Sequence, residues 1–299
     1  MTRNKKEKNN KCDKQKILLS CVFAEMKNNK KDCVEQSDID WIVGTILNKN
    51  RAEIKLIKKI SKKQYKQIMK AYNKRLKGQP LSDIFGFVEF YGMKIKVNKD
   101  VLSPRMETEI LVEEVLEKIK RKKNFYVLDM CTGSGAIAIA LAKNSSAKIE
   151  AVDISKKALK VAKENAEKNK VNIDFLKSDL FNGLKKEKKY DIIVSNPPYI
   201  KTNEIKSLDE EVKKYDPILA LDGGDDGLDF YKRIIKDSKE FLSKDGMIFF
   251  EIGECQRKDV EKLLKNEGFN EINVVNDYNN IERIIYGRRS WIIRKNTKN

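Results

Sequence analysis

Residues 126–135 read YVLDMCTGSG, residues 136–142 continue as AIAIALA, and this stretch decides the fold. Its first five residues have the composition of a buried strand, and the next five form a glycine-rich turn. The small apolar residues that follow predict a helix. A strand that enters a helix through such a turn is the opening unit of an α/β fold. Its glycines let backbone N–H groups at the helix N-terminus approach a ligand closely.

Strands and helices continue to alternate after this unit. Strands are expected at 148–153, 172–176, 190–195, 247–252, 271–275 and 283–293, and helices at 156–169, 228–242 and 256–266. A further helix is expected at 107–120, ahead of the first strand. This alternation predicts βαβ units and a parallel sheet covered on both faces. The two consecutive strands at the end predict an antiparallel edge pair.

Residues 1–85 lack the alternation of strands and predict a small helical domain. Ser61 and Gln64 form a capping box, which predicts a helix that ends before Gly78 and Pro80. Earlier helices are expected at 14–27, 37–47 and 51–60. A β-like segment at 87–97 makes 86–104 a hairpin linker, and 105–299 the α/β domain.

The charge is concentrated in the N-terminal part. The chain has a net charge of +18, and residues 1–85 hold 22 Lys and Arg against 9 Asp and Glu, a balance of +13. Such a surface raises the encounter rate with phosphate-rich partners such as ribosomal RNA. A solvated basic face, or a general bias toward lysine, explains the same count, so both interpretations stay open.

Several kinds of site are excluded by composition. The chain contains no His, which excludes Ser-His-Asp and Cys-His nucleophilic systems and His-based zinc sites. Its five Cys show no CxxC spacing, which predicts reduced thiols in a cytoplasmic protein rather than disulfides or a zinc ribbon. No export signal or membrane-spanning segment is expected.

An acidic residue completes the glycine-rich turn. Asp153 ends the second strand 18 positions after Gly135, where a carboxylate can accept hydrogen bonds from both ribose hydroxyls. The pair favours a nucleoside-type ligand. The pattern Gly133-x-Gly135-x-x-Ala138 also fits a dinucleotide fingerprint, which leaves a nicotinamide-dependent oxidoreductase as an alternative.

The next strand is followed by Asp179 and Leu180. Asp179 could accept a hydrogen bond from an adenine amino group while Leu180 packs against the base. A turn or helix cap explains Asp179 equally well.

The strand at 190–195 leads directly into Asn196, Pro197, Pro198 and Tyr199. Ligands of open α/β sheets bind at the carboxyl ends of the strands, so this tetrapeptide should lie beside the ligand of the glycine-rich turn. The prolines remove N–H donors and leave carbonyl acceptors, Asn196 adds a side-chain carbonyl, and Tyr199 adds a flat ring. The result is an acceptor-rich clamp for a planar NH2 group, although a plain turn after the strand has the same composition.

Such a clamp suits methyl transfer to an amide or an exocyclic amine, whose nitrogen lone pair is delocalised. Acceptance of both N–H hydrogens by the Asn196 side-chain oxygen and the Pro197 carbonyl would hold the nitrogen and stabilise its developing positive charge. Neither a metal ion nor a histidine is required for this chemistry.

Taken together, these residues resemble class I S-adenosylmethionine-dependent methyltransferases that act on amino nitrogens. That superfamily includes adenine-N6 and guanine-N2 nucleic-acid methyltransferases. Further segments are similar to the peptide chain release factor glutamine-N5 methyltransferases, over roughly residues 60–290. These are 78–86 (GQPLSDIFG), 89–92 (EFYG), 101–109 (VLSPRMETE), 221–231 (LDGGDDGLDFY) and 251–256 (EIGECQ).

The resemblance implies an α/β fold with a Rossmann-like seven-stranded class I methyltransferase domain and a small N-terminal helical domain for substrate recognition. It implies S-adenosyl-L-methionine as cofactor and S-adenosyl-L-homocysteine as product. The implied cofactor-binding residues are Cys131, Thr132, Gly133, Ser134, Gly135, Asp153, Asp179, Leu180 and Asn196. Those implied for substrate binding are Asn196, Pro197, Pro198 and Tyr199, and of these Asn196, Pro197 and Tyr199 are expected to be catalytic.

The implied acceptor is the glutamine of the Gly-Gly-Gln motif in bacterial class I release factors. The first alternative is a nucleic-acid amino-methyltransferase acting on adenine N6 or guanine N2. A catalytically idle protein that only holds the release factor is a second alternative, which an intact Asn-Pro-Pro-Tyr sequence disfavours.

Three positions depart from the family pattern: Cys131 replaces the usual Gly, Met106 replaces Pro, and Asp216 replaces Glu. A nucleophilic role for Cys131 is disfavoured because the sequence places no base beside it and the family usually has Gly at this position. The cluster of Arg105 and 107–109 is open to two interpretations, as pocket wall or as cap of the following helix.

Overall fold

The computed structural model describes residues 16–29, 34–120 and 125–289 of the 299-residue chain. Contacts divide the chain into two compact units, with the boundary between Phe85 and Gly86. The expected helix residues 14–15, the expected strand residues 290–293, and Cys12 and Cys33 lie outside the described residues.

The first unit is mainly helical and packs around buried Ile39, Ile42, Ile68 and Tyr72. Its elements are β1 (Lys16–Leu18), α1 (Leu19–Asn28), α2 (Gln36–Leu47), α3 (Arg51–Leu56), β2 (Lys59–Ser61), α4 (Lys62–Arg75) and α5 (Leu81–Phe85). The capping box at the start of α4 is confirmed: the Gln64 N–H donates to Ser61 Oγ at 3.2 Å, and the Ser61 N–H donates to Gln64 Oε1 at 2.9 Å.

Two of the expected helices are wrong at one end. β1 and β2 pair antiparallel, with Lys16 opposite Ser61, where helix had been expected at 14–27 and 51–60. In β2 only the central Ile60 is buried, between exposed Lys59 and Ser61, which is the period of two that a half-buried strand needs. The helix expected at 51–60 instead ends at Leu56, and Ile60 enters the core of the helical unit from a strand.

The second unit alternates strands and helices. Its elements are β3 (Phe87–Phe90), β4 (Met93–Lys96), α6 (Glu107–Ile119), β5 (Tyr126–Met130), α7 (Ala136–Asn144), β6 (Lys148–Asp153), α8 (Lys156–Asn169), β7 (Asp174–Lys177), β8 (Tyr190–Ser195), α9 (Glu210–Tyr215), α10 (Asp229–Ser238), β9 (Leu242–Glu251), α11 (Arg257–Asn266), β10 (Phe269–Asn276) and β11 (Glu282–Arg289). Short 3₁₀ turns lie at Ile205–Ser207 and Ile218–Ala220.

The expected seven-stranded sheet is confirmed, with the order β10-β11-β9-β8-β5-β6-β7. The five strands from β9 to β7 are parallel, and β11 runs antiparallel to both β9 and β10, which confirms the antiparallel pair. The chain proceeds outward from β5 through β6 to β7 and then returns to place β8 on the other side of β5. Ligands of open α/β sheets bind at the carboxyl ends of strands at such a switch point.

Helices cover both faces of this sheet. One apolar cluster joins it to α6, α7, α8 and the β3–β4 hairpin, and a second joins it to α10 and α11. Within the hairpin, Phe90, Met93 and Ile95 are buried in the first cluster, so the hairpin is packed as part of the second unit.

The predicted helix at 228–242 is wrong at its C-terminal end. α10 ends at Ser238, whose hydroxyl donates to the Ile235 carbonyl at 2.8 Å. Leu242 is buried and pairs with Tyr190 in the sheet, so β9 begins there. Within the described residues, every helix is too short or too polar to cross a bilayer.

Candidate active site

A cleft opens where β5, β6 and β8 end. Most of the residues predicted for cofactor binding line it: Cys131, Thr132, Gly133, Ser134, Asp153, Asp179, Leu180 and Asn196. Of the other predicted residues, Pro198 lines the cleft, whereas Gly135, Pro197 and Tyr199 are adjacent in sequence to lining residues and are not part of the lining. Arg105 and Thr108, from the cluster that was open to two interpretations, also line the cleft. Residues that sequence reasoning did not assign to the site contribute as well: Leu102, Ile154, Pro217, Leu219, Phe230 and Arg233.

The glycine loop, Cys131–Gly135, connects β5 to α7 through left-handed backbone. The φ angles of Cys131, Gly133 and Gly135 are +62°, +55° and +81°. A Cβ on Gly135 would lie 3.0 Å from the Ala162 Cβ, so glycine is required there both by backbone angle and by space. Cys131 stands in a conformation that favours glycine, which explains the glycine usual at this position.

A buried carboxylate lies beneath the glycine loop. Asp129 is fully buried, and its Oδ2 accepts hydrogen bonds from the Thr132 hydroxyl at 2.5 Å and from the Ala138 N–H at 3.2 Å. Its Oδ1 has no hydrogen-bond partner among the described residues. Burial raises the pKa of Asp129 from 3.8 to about 7. The carboxyl group thus joins the loop to the first turn of α7.

Asp153 connects the glycine loop to the end of β6. Its Oδ2 accepts the Gly133 N–H at 2.9 Å and its Oδ1 accepts the Ser155 N–H at 2.8 Å. Burial raises the pKa of Asp153, while these two N–H groups lower it. Each oxygen keeps a further lone pair for a hydroxyl donor.

Asp179 has an arginine partner. Arg233 Nη2 on α10 donates to both carboxylate oxygens of Asp179, at 2.8 and 2.9 Å, and both residues line the cleft. The adjacent Leu180 is buried, and Ile154, which follows Asp153, remains 47% exposed at the cleft. No local sequence signal identified Arg233, because the contact spans 54 positions of the chain.

A buried asparagine joins the glycine loop to the β3–β4 hairpin. Asn165 of α8 accepts the Lys96 N–H at 2.8 Å, and its side-chain amide donates at 2.9 Å to the carbonyls of Lys96 and of Ser134. One side chain thus fixes the hairpin backbone and the loop backbone at the same time.

The acceptor loop, Asn196–Tyr199, follows β8. Asn196 Nδ2 donates to Thr108 Oγ1 at 3.3 Å, and Thr108 Oγ1 donates to Glu251 Oε2 at 2.6 Å. The Tyr199 hydroxyl lies 3.4 Å from the other oxygen of Glu251. Burial raises the pKa of both Glu251 and Tyr199. Asn196 and Pro198 thus face the cleft, while Tyr199 reaches a buried carboxylate behind it.

Three glycines and one glutamine pack around Tyr199. A Cβ on Gly223 would lie 2.7 Å from the Tyr199 Cα, one on Gly227 would lie 2.5 Å from its carbonyl oxygen, and one on Gly253 would lie 3.0 Å from its ring. Gln256 Nε2 donates to the Tyr199 carbonyl at 2.9 Å. The segments 221–231 and 251–256 therefore hold the acceptor loop.

Arg105 and residues 107–109, which follow the hairpin, have two separate roles. Arg105 lines the cleft and pairs with Asp216 at 2.9 Å, while Thr108 lines the cleft beside Asn196. Glu109 instead accepts the N–H of Tyr91 in the hairpin turn at 2.7 Å. Part of the cluster is pocket wall and part supports the hairpin, and α6 has no side-chain cap among the described residues.

The chain is similar in sequence to a known family model and to proteins of known name. Residues 105–214 match the family model of the methyltransferase small domain. The chain is 46% identical over 235 residues to the release factor glutamine methyltransferase of Thermodesulfovibrio yellowstonii, covering 77% of this chain and 84% of the relative.

A second relative and a solved structure extend the comparison. The release factor glutamine methyltransferase of Clostridium acetobutylicum is 38% identical over 285 residues, covering 92% of this chain and 98% of the relative. The crystal structure of a methyltransferase from Pyrococcus furiosus aligns with a TM-score of 0.51 at 16% identity, covering 67% of this chain and 90% of that one. That structural likeness shows the fold alone.

Proposed function

The chain belongs to the release factor glutamine methyltransferase family, and on this premise we propose that it methylates the glutamine of the Gly-Gly-Gln motif in bacterial class I peptide chain release factors. The methyl group goes from S-adenosyl-L-methionine to the side-chain amide nitrogen, N5. The observation that carries the proposal is the placement of Asn196 and Pro198 in the same cleft as the glycine loop and Asp153.

The residues present fit the cofactor. The glycine loop presents backbone at the start of α7, Asp153 retains lone pairs for the two ribose hydroxyls, and Asp179 retains acceptor capacity for the adenine amino group. Leu180 and Ile154 provide apolar surface for the base. When bound, S-adenosyl-L-methionine supplies an electrophilic methyl group on a sulfonium centre.

The acceptor loop holds the glutamine side chain. The Asn196 side-chain oxygen and the Pro197 carbonyl accept the two N–H hydrogens, which fixes the amide nitrogen and stabilises positive charge on it as the new C–N bond forms. The nitrogen then loses one proton to solvent, because an N-protonated amide is a strong acid. Tyr199, held by Glu251 and Gln256, sets the position of the loop backbone.

The decisive experiment measures transfer of labelled methyl from S-adenosyl-L-methionine to three substrates in parallel. They are an unmodified release factor, the same factor with the glutamine of its Gly-Gly-Gln motif changed to alanine, and bulk ribosomal RNA. Label on the first substrate alone supports the proposal. Label on the RNA alone contradicts it and favours the nucleic-acid amino-methyltransferase.

We also propose that the helical unit, residues 1–85, recognises the substrate and brings the enzyme near ribosomal RNA, in the cytoplasm. Residues 54–82 hold ten Lys and Arg and no Asp or Glu. Exposed Lys62, Lys63, Lys66 and Lys70 of α4 surround one shallow depression. Clustered lysines of this kind bind phosphates in a salt-dependent way.

This contact is tested by changing the four α4 lysines to glutamine. The expected result is weaker binding of ribosomal RNA and a shallower dependence of log Kd on log salt, while methylation of the isolated release factor persists. A matched variant changes Lys156, Lys160, Lys163 and Lys168 of α8 to glutamine. Equal losses in both variants would show that only net charge matters.

A further inference from the structure

The side-chain amide of Asn196 has a defined orientation, which is set by hydrogen bonds through two buried side chains. Asn196 Nδ2 donates to Thr108 Oγ1 at 3.3 Å, and Thr108 Oγ1 lies 2.6 Å from Glu251 Oε2. Thr108 is 3% exposed and Glu251 is 2% exposed, so water does not compete for these bonds. The three residues come from the start of α6, the end of β8 and the end of β9, and therefore meet only in the folded sheet.

The direction follows from the number of hydrogens available. The Thr108 hydroxyl donates its single hydrogen to Glu251 Oε2 at 2.6 Å. Thr108 then offers only lone pairs to Asn196, which must present its NH2 group to Thr108. The carbonyl oxygen of the same amide is thereby left for the substrate. If the amide flipped, its NH2 group would face the N–H hydrogens of the substrate, donor against donor.

Burial raises the pKa of Glu251, and three neighbouring groups act against it. The hydrogen bond from Thr108, the Arg283 guanidinium and the hydrogen bond from Tyr199 each lower the pKa of Glu251, while the nearby charge of Glu107 raises it further. Thr108 lies in the first turn of α6, yet its hydroxyl donates to Glu251 and not to the helix backbone. Its role is therefore more than that of a helix cap.

We propose that Thr108 is a positioning residue for the Asn196 amide. Its hydroxyl donates to Glu251 and accepts from the Asn196 NH2 group, so the Asn196 carbonyl oxygen is directed toward the acceptor nitrogen. This assignment rests on the proposed function, because it acts on the methyl-transfer step through Asn196. It also explains why the segment 101–109 contributes to the site although it precedes the sheet.

The test compares Thr108→Val with Thr108→Ser. Valine keeps the shape of threonine and removes the hydroxyl, so kcat should fall about tenfold or more, which corresponds to about 1.4 kcal/mol, with KM for S-adenosyl-L-methionine little changed. Serine keeps the hydroxyl and should restore kcat to within about twofold. Ser238→Ala is the matched control, since Ser238 is fully buried and its hydroxyl donates to the Ile235 carbonyl, away from the cleft.

A double-mutant cycle separates positioning from general destabilisation. Thr108 acts only through Asn196, so Thr108→Val should cost almost nothing further in an Asn196→Ala background. Equal costs in both backgrounds, or a wild-type kcat in Thr108→Val, would overturn the assignment.

A second measurement does not depend on activity. In the ¹⁵N spectrum, the Asn196 side-chain N–H that bonds Thr108 should exchange slowly with water in wild type and in Thr108→Ser, and fast in Thr108→Val. If the wild-type enzyme methylates no release factor, the proposed function fails, and this exchange pattern alone decides the role of Thr108. Exchange that is equal in all three proteins would overturn it.

Discussion

The glycine loop and the acceptor loop lie in one cleft, yet they are held in opposite ways. The glycine loop is fixed by residues nearer to it in sequence: Asp129, three positions before Thr132, Asp153, 20 positions after Gly133, and Asn165, 31 positions after Ser134. The acceptor loop is fixed by residues far from it, with Thr108 88 positions before Asn196 and Gln256 57 positions after Tyr199. The glycine loop is therefore held over shorter distances in sequence, whereas the acceptor loop is held only once α6, β8 and β9 have come together.

Because of this difference, substitutions can impair one loop and leave the structure of the other intact. A change to the distant supports of the acceptor loop should lower the rate of methyl transfer and leave cofactor binding intact. A change beneath the glycine loop should act first on stability and on the cofactor.

The largest expected effect is that of Asn196→Ala. Loss of the side-chain acceptor should lower the single-turnover rate of methyl transfer at least about 100-fold, the scale of one lost electrostatic contact in an active site. The thermal unfolding midpoint should hardly change, because the Asn196 side chain makes one long hydrogen bond to the protein, at 3.3 Å. A rate near that of wild type would show that Asn196 is not part of the clamp.

Gly223→Ala should displace the acceptor loop although none of the loop's own residues is changed. The new Cβ would lie 2.7 Å from the Tyr199 Cα and 2.9 Å from the Pro198 carbonyl oxygen, so the loop must shift. We expect kcat to fall about tenfold, since small misplacements are costly in catalysis, with the Kd for S-adenosyl-L-methionine unchanged.

Gly268→Ala is the control for this substitution. Gly268 has a φ of +82° and open space around its Cβ position, so alanine there should cost about 1 kcal/mol of stability and none of the rate. A parallel loss of kcat and cofactor affinity in Gly223→Ala would show that the two loops are not held separately.

Asp129→Asn should change the pH dependence of stability. The pKa of Asp129 is about 7 in the folded protein against 3.8 ordinarily, so the folded state keeps a proton that the unfolded state loses. Its contribution to stability is therefore fully present below about pH 4 and is lost as the pH rises through 7. Between pH 6 and pH 8, wild type should lose about 1 kcal/mol more than the variant, measured by urea unfolding. Parallel curves for the two proteins would contradict the shift.

The smallest effect is expected for Cys131→Gly. Left-handed backbone costs a non-glycine residue about 1–2 kcal/mol, and φ is +62° at Cys131. Lost packing of the half-buried side chain offsets part of the relief, so the free energy of unfolding should rise by ~0.5 kcal/mol. Cys255→Gly is the comparison, because Cys255 has a φ of +67° and is exposed, and it should gain more. A smaller gain at Cys255 would show that backbone angle does not control these positions.

The sequence predicts most of what is local. The strand before the glycine loop, the capping box at Ser61 and the positions of Asp153 and Asn196 follow from short-range patterns, and each lies where a pattern of a few residues placed it. The seven-stranded sheet came from the resemblance, because strand order depends on pairing between distant segments.

What the sequence could not supply is long-range contact. Arg233 on Asp179 and Glu251 on Thr108 are joined across 54 and 143 positions, and no periodicity or spacing connects them. The two short strands of the helical unit were missed for the same reason, since β1 and β2 pair across more than 40 residues and carry three residues each.

Asn165 has a thermodynamic consequence. It binds the backbone of Lys96 in the hairpin and the carbonyl of Ser134 in the glycine loop. A ligand that stabilises one arrangement of the loop must then stabilise the matching arrangement of the hairpin, and a contact that orders the hairpin must raise affinity at the loop by the same factor. Protection of the hairpin amides from hydrogen exchange would therefore report on the cofactor from a position outside the cleft.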